Sequence, residues 1–165
     1  MNMESAVAEN AVAQLGVKYL TFQLHKEGYG IEILKVREIF GMQEITSVPG
    51  VPDYVKGVLN LRGRIIPVID LRLKFGFEEA EYNKETCIIV VSIDEILVGI
   101  IVDTVSEVVD IPGDDIELSP SFGAETPTEF LLGMGKVKEH VVILLNVEKV
   151  FSVQEIKSIG DASNE

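Results

Sequence analysis

The chain contains an approximate copy of itself. Residues 30–40 lie over residues 99–109 at an offset of 69 positions, with Gly30 over Gly99, Ile31 over Ile100, Val36 over Val105 and Glu38 over Glu107. The same offset lays 20–24 over 89–93. Farther on, 64–71 lie over 140–147 at an offset of 76, so the second copy is longer by seven residues. The extra residues fall most naturally in the stretch 112–128, rich in Gly, Pro, Ser and Asp. Asp70 and Asn146 are equivalent and both are good helix N-caps, and Phe75 meets Phe151. Each copy is too small to be secure alone, so the two must share apolar surface.

Within each copy the apolar residues come in short runs separated by turn signals. Residues 19–24 read as a strand, His25-Lys26-Glu27-Gly28 as its turn, with Gly28 supplying a positive φ, and residues 29–33 as the return strand. Val36, Ile39 and Phe40 sit at i, i+3 and i+4, the spacing of one helical turn. Residues 45–48 read as a short strand and 49–52 as a loop. Residues 55–59 and 65–69 pair across the turn 60–63. Pro67 lacks a donor, so its strand needs an edge or a bulge there. Asp70 caps a short helix over 71–75 that Gly76 ends. No helical pattern of 10–15 residues separates the strands, which excludes a parallel βαβ sheet. The expected fold is all-β with short helices: two five-stranded barrels, the first from about residues 17–77 and the second from about 86–153, within one domain over 15–156. Residues 1–14 are expected to be flexible, 78–85 a linker, and 157–165 a disordered tail.

A net charge of −13 argues against nucleic acid and anionic lipid as partners. The positive charge is concentrated. Lys56, Arg62, Arg64, Arg72 and Lys74 fall within 56–74, where Asp70 is the only acid, and read as a patch suited to an acidic partner. The N-terminus has no signal-peptide pattern, and no apolar run reaches the ~20 residues that span a bilayer. A cytoplasmic protein is expected, without insertion into a membrane.

Chemistry-bearing residues are few. Cys87 is the single cysteine, at the head of an apolar run, and reads as a structural thiol. His25 and His140 are the two histidines, and neither belongs to a triad or a zinc pattern. Phosphate-binding glycine motifs are missing. The adjacent acids Glu78-Glu79, Asp94-Glu95 and Asp114-Asp115 read as solvated charge. No catalytic residue, metal site or cofactor is expected.

Residues 60–71, Asn-Leu-Arg-Gly-Arg-Ile-Ile-Pro-Val-Ile-Asp-Leu, resemble the core signature of the CheW-like family, the coupling proteins of bacterial chemotaxis. Residues 47–58 resemble the approach to that signature, and 98–105 resemble the family's second-half motif. The resemblance covers roughly residues 17–153. It implies two SH3-like barrels on one core and a non-catalytic adaptor. Its implied partners are the cytoplasmic tip of chemoreceptors and the regulatory domain of the chemotaxis histidine kinase, and the free chain is expected to be a monomer. No receiver or ATP-binding motif accompanies the domain, so the likeness is to stand-alone members. Val36, Glu38, Gly57 and Arg62 fall where the family places receptor-facing residues. Arg62 offers a bidentate fork to a carboxylate. Gly57 reads either as room for a partner helix or as a bulge in a strand. Ile33, Val105, Glu107 and Val108 are the candidate kinase-facing set.

Two rival readings have clear structural signatures. A small-molecule-sensing barrel needs a closed apolar pocket of roughly 300–1,000 Å³. A carboxylate hydrolase needs two acids converging in a cleft with shifted pKa values.

Overall fold

The structure, a computed structural model, describes residues 17–117 and 130–151. The expectations for residues 1–14, for the tail 157–165 and for most of the loop 112–128 lie outside them. The described strands are β1 (Val17–Leu24), β2 (Glu27–Glu32), β3 (Val36–Gly41), β4 (Val55–Leu61), β5 (Arg64–Asp70), β6 (Cys87–Ile93), β7 (Ile96–Val102), β8 (Thr104–Ile111), β9 (Ile116–Glu117), β10 (Leu131–Val137) and β11 (His140–Leu145). Two one-turn helices follow the equivalent strands β5 and β11: α1 (Leu71–Lys74) and α2 (Val147–Val150). Asp70 caps α1 by accepting from the Arg72 and Leu73 N–H groups, and Asn146 caps α2 by accepting from Glu148 N–H.

Hairpins β1–β2, β6–β7 and β4–β5 close through two-residue turns in the left-handed region: His25-Lys26 (φ 50° and 71°), Asp94-Glu95 (48° and 70°) and Arg62-Gly63 (50° and 88°). Turns of that hand match the twist of the strands they join. Gly28 is therefore not the turn residue that the sequence suggested. It lies inside β2, and His25 and Lys26 take the positive φ instead.

Two further local expectations are corrected. Val36, Ile39 and Phe40 belong to β3 rather than to a helical turn. A ladder with β6 supplies the backbone partners that an isolated turn of helix, costly to nucleate, cannot. The turn of helix lies one step earlier, as a 3₁₀ turn over Ile33–Lys35. Residues 45–48 do not form a strand. Thr46 alone makes a bridge, exchanging two 2.9 Å hydrogen bonds with Val58.

The strands form one sheet of six, in the order β8-β1-β2-β11-β10-β9, and one of five, in the order β3-β6-β7-β5-β4. The sequence halves 17–77 and 86–153 do not each build one sheet. The hairpin β1–β2 leaves the first half and joins the second half's strands, and β6–β7 joins the first half's strands. The exchange is symmetric in register. Leu144 pairs with Gly30 as Val68 pairs with Gly99, both in parallel ladders, and Phe22 pairs with Val105 as Val91 pairs with Val36. By crossing, each hairpin adds one apolar face to a core shared by both sheets.

Strand β6 shows the arrangement. Ile88 and Val90 point into a cluster with Leu59, Ile66, Val68 and Ile101, the interior of the five-stranded sheet. Ile89, Val91 and Ile93 point the other way, into a larger cluster with Leu20, Phe22, Leu24, Ile31 and Ile69. That second cluster joins both sheets and both halves. The six-stranded sheet has its own interior of Tyr19, Ile111, Val142 and Leu144. A strand that faces two cores reads as an unbroken apolar run, as 87–91 does. Pro67 sits one residue before the parallel ladder from β5 to β7 begins at Val68, so its missing N–H leaves no rung unmade.

Candidate functional site

The turn that carries the two arginines is built by its own side chains. The Asn60 side-chain carbonyl accepts the Gly63 N–H at 2.8 Å and fixes the turn. Arg62, at φ 50°, projects from it and reaches Glu38 on β3. The fork is bidentate: Nη1 donates to Oε1 at 2.9 Å and Nη2 to Oε2 at 2.6 Å. β3 and β4 are the two edges of the five-stranded sheet, and Arg62 directly follows β4. The pair therefore straps one edge to the other at the mouth of the barrel. Hydrogen bonding to Arg62 holds the Glu38 carboxyl below the usual carboxylate range. The Arg62 side chain remains 72% exposed, so the guanidinium is both braced and open to a partner.

The remaining candidate residues are distributed unevenly. Val36 opens β3 and is half-buried against the shared core, as is Ile33 on the 3₁₀ turn before it. Gly57 is buried, and the fold itself requires the glycine. Its φ is +146°, it lies at a bulge in the β4–β5 ladder, and a Cβ there would stand 1.9 Å from the Thr46 carbonyl oxygen. Room for a partner helix is not needed to explain it. Val105, Glu107 and Val108 lie on β8, at the edge of the other sheet. Val105 is half-buried, whereas Glu107 and Val108 are exposed. The buried Thr21 hydroxyl donates to the Glu107 carbonyl at 2.7 Å and accepts from its N–H at 3.1 Å, which fixes this edge. The structure thus joins Glu38 to Arg62, places Val36 on the same sheet, and sets Val105, Glu107 and Val108 on the opposite one.

Only part of the basic cluster of 56–74 is open: of its five cations Arg62 and Arg64 are exposed, and three of the five are paired with acids. Lys56 pairs with Glu79, Arg62 with Glu38, and Arg72 with Asp103 at 2.7 Å. Lys74 lies 4.3 Å from the centroid of the Tyr54 ring. The neutralising acids come from outside the segment, which is why a count along the sequence misleads.

Of the exposed apolar residues on the sheets, sequence reasoning singled out Val108 and missed the others. Ile39 and Ile65 belong to the five-stranded sheet, and Val108 and Val141 to the six-stranded one; all four are exposed. They form two repeat-equivalent pairs, Ile39 with Val108 and Ile65 with Val141. The signal was available, because the offsets of 69 and 76 that define the repeat connect them. Apolar side chains left in solvent at duplicated positions suit protein contacts.

The features of the rival readings are weak here. A cleft lined by Asp70, Arg72, Tyr82 and Asp103 has a volume of about 170 Å³, and a second beside Lys35 and Glu148 about 130 Å³. Both fall short of a ligand pocket and are lined largely by polar groups. The two acids of the larger cleft are occupied by structural donors. Asp70 takes the α1 cap and the Tyr82 hydroxyl at 2.7 Å, and Asp103 takes the Arg72 fork. Burial, together with that bond to Asp70, pushes the Tyr82 hydroxyl far up. Cys87 is half-buried, with its thiol donating to the Glu85 carbonyl at 3.2 Å. Among the described residues no cluster of His, Cys, Asp and Glu could hold a metal, and no helix is long and apolar enough to cross a membrane.

Comparison with known proteins agrees with this architecture. The family model for the CheW-like domain matches residues 18–155. The chain is 39% identical to a chemotaxis protein CheW of Klebsiella aerogenes, covering 96% of each chain. It is 32% identical to one of Treponema pallidum, covering 86% of each. The solved structure of the scaffolding protein TtCheW from Thermoanaerobacter tengcongensis superimposes with a TM-score of 0.78 at 35% identity, covering 86% of this chain and 96% of that one.

Proposed function

The chain belongs to the CheW-like family, and from that membership we propose that it couples chemoreceptors to the chemotaxis histidine kinase by holding both at once. A member of this family is a non-catalytic scaffold of chemotaxis signalling, not an enzyme. The finer reading assigns the two partners to separate surfaces. The receptor tip is taken by the mouth of the five-stranded sheet, where Glu38 and Arg62 are bonded and Val36 lies on the same strand as Glu38. The kinase regulatory domain is taken by the region of Ile33, Val105, Glu107 and Val108. The observation that carries this reading is the exposed, braced Arg62–Glu38 pair on one sheet, with the repeat-equivalent Glu107 on the edge of the other.

Two like edges on opposite sheets also allow head-to-tail contacts, which close into rings when the angles permit. One edge then meets one kinase domain and the other edge a second. Through such contacts the chain is recruited to receptor arrays at the membrane without entering it. Reversing the charge of Glu107 tests the arrangement. Assembly of the receptor–kinase lattice is expected to fall more than one-to-one kinase binding, and equal loss of both would contradict it.

A further inference from the structure

Two ion pairs connect the halves at nearly equivalent places, and their charges are opposite. In one, Arg72 on α1 reaches across to Asp103, just past β7, with Nε to Oδ1 at 2.7 Å and Nη2 to Oδ2 at 2.8 Å. In the other, Glu148 on α2 reaches across to Lys35, just past β2. Arg72 and Glu148 are equivalent at the offset of 76. Asp103 and Lys35 are one residue apart at the offset of 69. Each clasp joins a helix of one half to the end of the exchanged hairpin from the other. The first half thus presents two cations here, Arg72 and Lys35, and the second half two anions, Glu148 and Asp103.

We propose that this charge inversion makes unlike halves pair with each other and keeps a half from pairing with its own kind in a second copy of the chain. The backbone does not discriminate. The parallel ladder of β2 with β11 has the same register as that of β7 with β5, with Gly30 against Leu144 and Gly99 against Val68. The side chains lining the two interiors are mostly aliphatic in both sheets. Two chains could therefore close a dimer in which first half exchanges hairpins with first half, and second with second. In that dimer Arg72 would face Lys35 of the other copy, and Glu148 would face Asp103. Both contacts repel. In the native chain both attract. The hydrogen bond to Glu148, with smaller help from Glu32 and Asp94, favours the charged form of Lys35, so the second clasp is not isolated.

The test uses the full chain refolded from denaturant at rising concentration and low salt, with monomer and dimer separated by size and weighed by light scattering. Lys35→Glu with Glu148→Lys keeps the native clasp attractive but makes both like-with-like contacts attractive as well. The dimer-to-monomer ratio is expected to rise about tenfold over wild type, equivalent to about 1.4 kcal/mol, which two partly exposed charge contacts can supply. Arg72→Glu with Asp103→Arg inverts the other clasp and carries the same expectation, so the proposal does not depend on one variant folding. Combining all four substitutions restores repulsion and is expected to return the ratio to that of wild type. Salt at 1 M, where the screening length is about 3 Å, is expected to remove the differences. A ratio unchanged from wild type in both single-clasp inversions would overturn the proposal, as would a fourfold variant that dimerises as much as they do.

Discussion

The Thr46 carbonyl oxygen occupies the space that a side chain on Gly57 would need, at 1.9 Å from where its Cβ would stand. The same segment exchanges hydrogen bonds with Val58, so Thr46 cannot move aside without breaking the bridge. Gly57→Ala is therefore expected to destabilise the chain by on the order of 3 kcal/mol, from overpacking together with an unfavourable positive φ. The repeat supplies a control. Gly133 stands at the equivalent bulge, and its Cβ would lie 2.8 Å from the Glu117 carbonyl oxygen, without a positive φ. Urea denaturation of both variants is expected to show Gly133→Ala as the milder one.

Neighbouring isoleucines should separate folding from binding. Ile66 is 3% exposed and Ile65 is 59% exposed. Truncating Ile66 to Ala is expected to cost about 2–5 kcal/mol of stability. Truncating Ile65 should leave the denaturation midpoint nearly unchanged and weaken a protein contact, measured by titration calorimetry against the kinase regulatory domain and the receptor tip.

The two helix caps should differ in worth. Asp70 is buried, caps α1 and also accepts the Tyr82 hydroxyl, which ties down the linker between the halves. Asn146 caps α2 alone. Thermal unfolding is expected to show a loss of about 2 kcal/mol for Asp70→Ala and about 1 kcal/mol for Asn146→Ala.

Acid should weaken the fold through Asp103. Burial opposes its ionisation, but the Arg72 fork and the His25 N–H outweigh burial and hold the carboxyl below its ordinary range. A carboxyl with a lowered folded-state pKa adds stability above its unfolded value, near pH 4, and loses it as pH falls through the folded value. Denaturation midpoints between about pH 6 and about pH 2.5 are expected to drop through that window. Asp103→Asn should flatten part of the drop, and an unchanged slope would contradict the assignment.

Much of the fold was legible in the sequence because duplication writes the same physics twice. Asp70 and Asn146 revealed two caps, and the repeat set Gly30 over Gly99, which occupy equivalent rungs of the two parallel ladders. The mostly-β architecture and the shared core followed. The exchange of hairpins was not legible, since Leu20, Phe22 and Leu24, like Ile89, Val91 and Ile93, read as one core-facing strand face wherever the strand pairs, and only the other sheet's register decides. Gly28 misled because a two-residue turn left-handed at His25 and Lys26 does not need glycine. At the site, Glu38 and Arg62 were both singled out, yet their bond was not foreseen, because the contact depends on the two edges of a closed sheet meeting. The basic cluster misled for a related reason: Glu38, Glu79 and Asp103, from outside the segment, pair with three of its five cations.

Arg62 provides the most direct test of coupling. Receptor-tip fragments and the kinase regulatory domain are co-sedimented with wild-type chain and with Arg62→Ala, and the melting temperature of each chain is measured alongside. Wild type is expected to bring both partners down together. Arg62→Ala is expected to lose the receptor, keep the kinase domain and melt at nearly the same temperature. Partners that displace one another on the wild-type chain, or an Arg62→Ala variant that unfolds, would contradict the account.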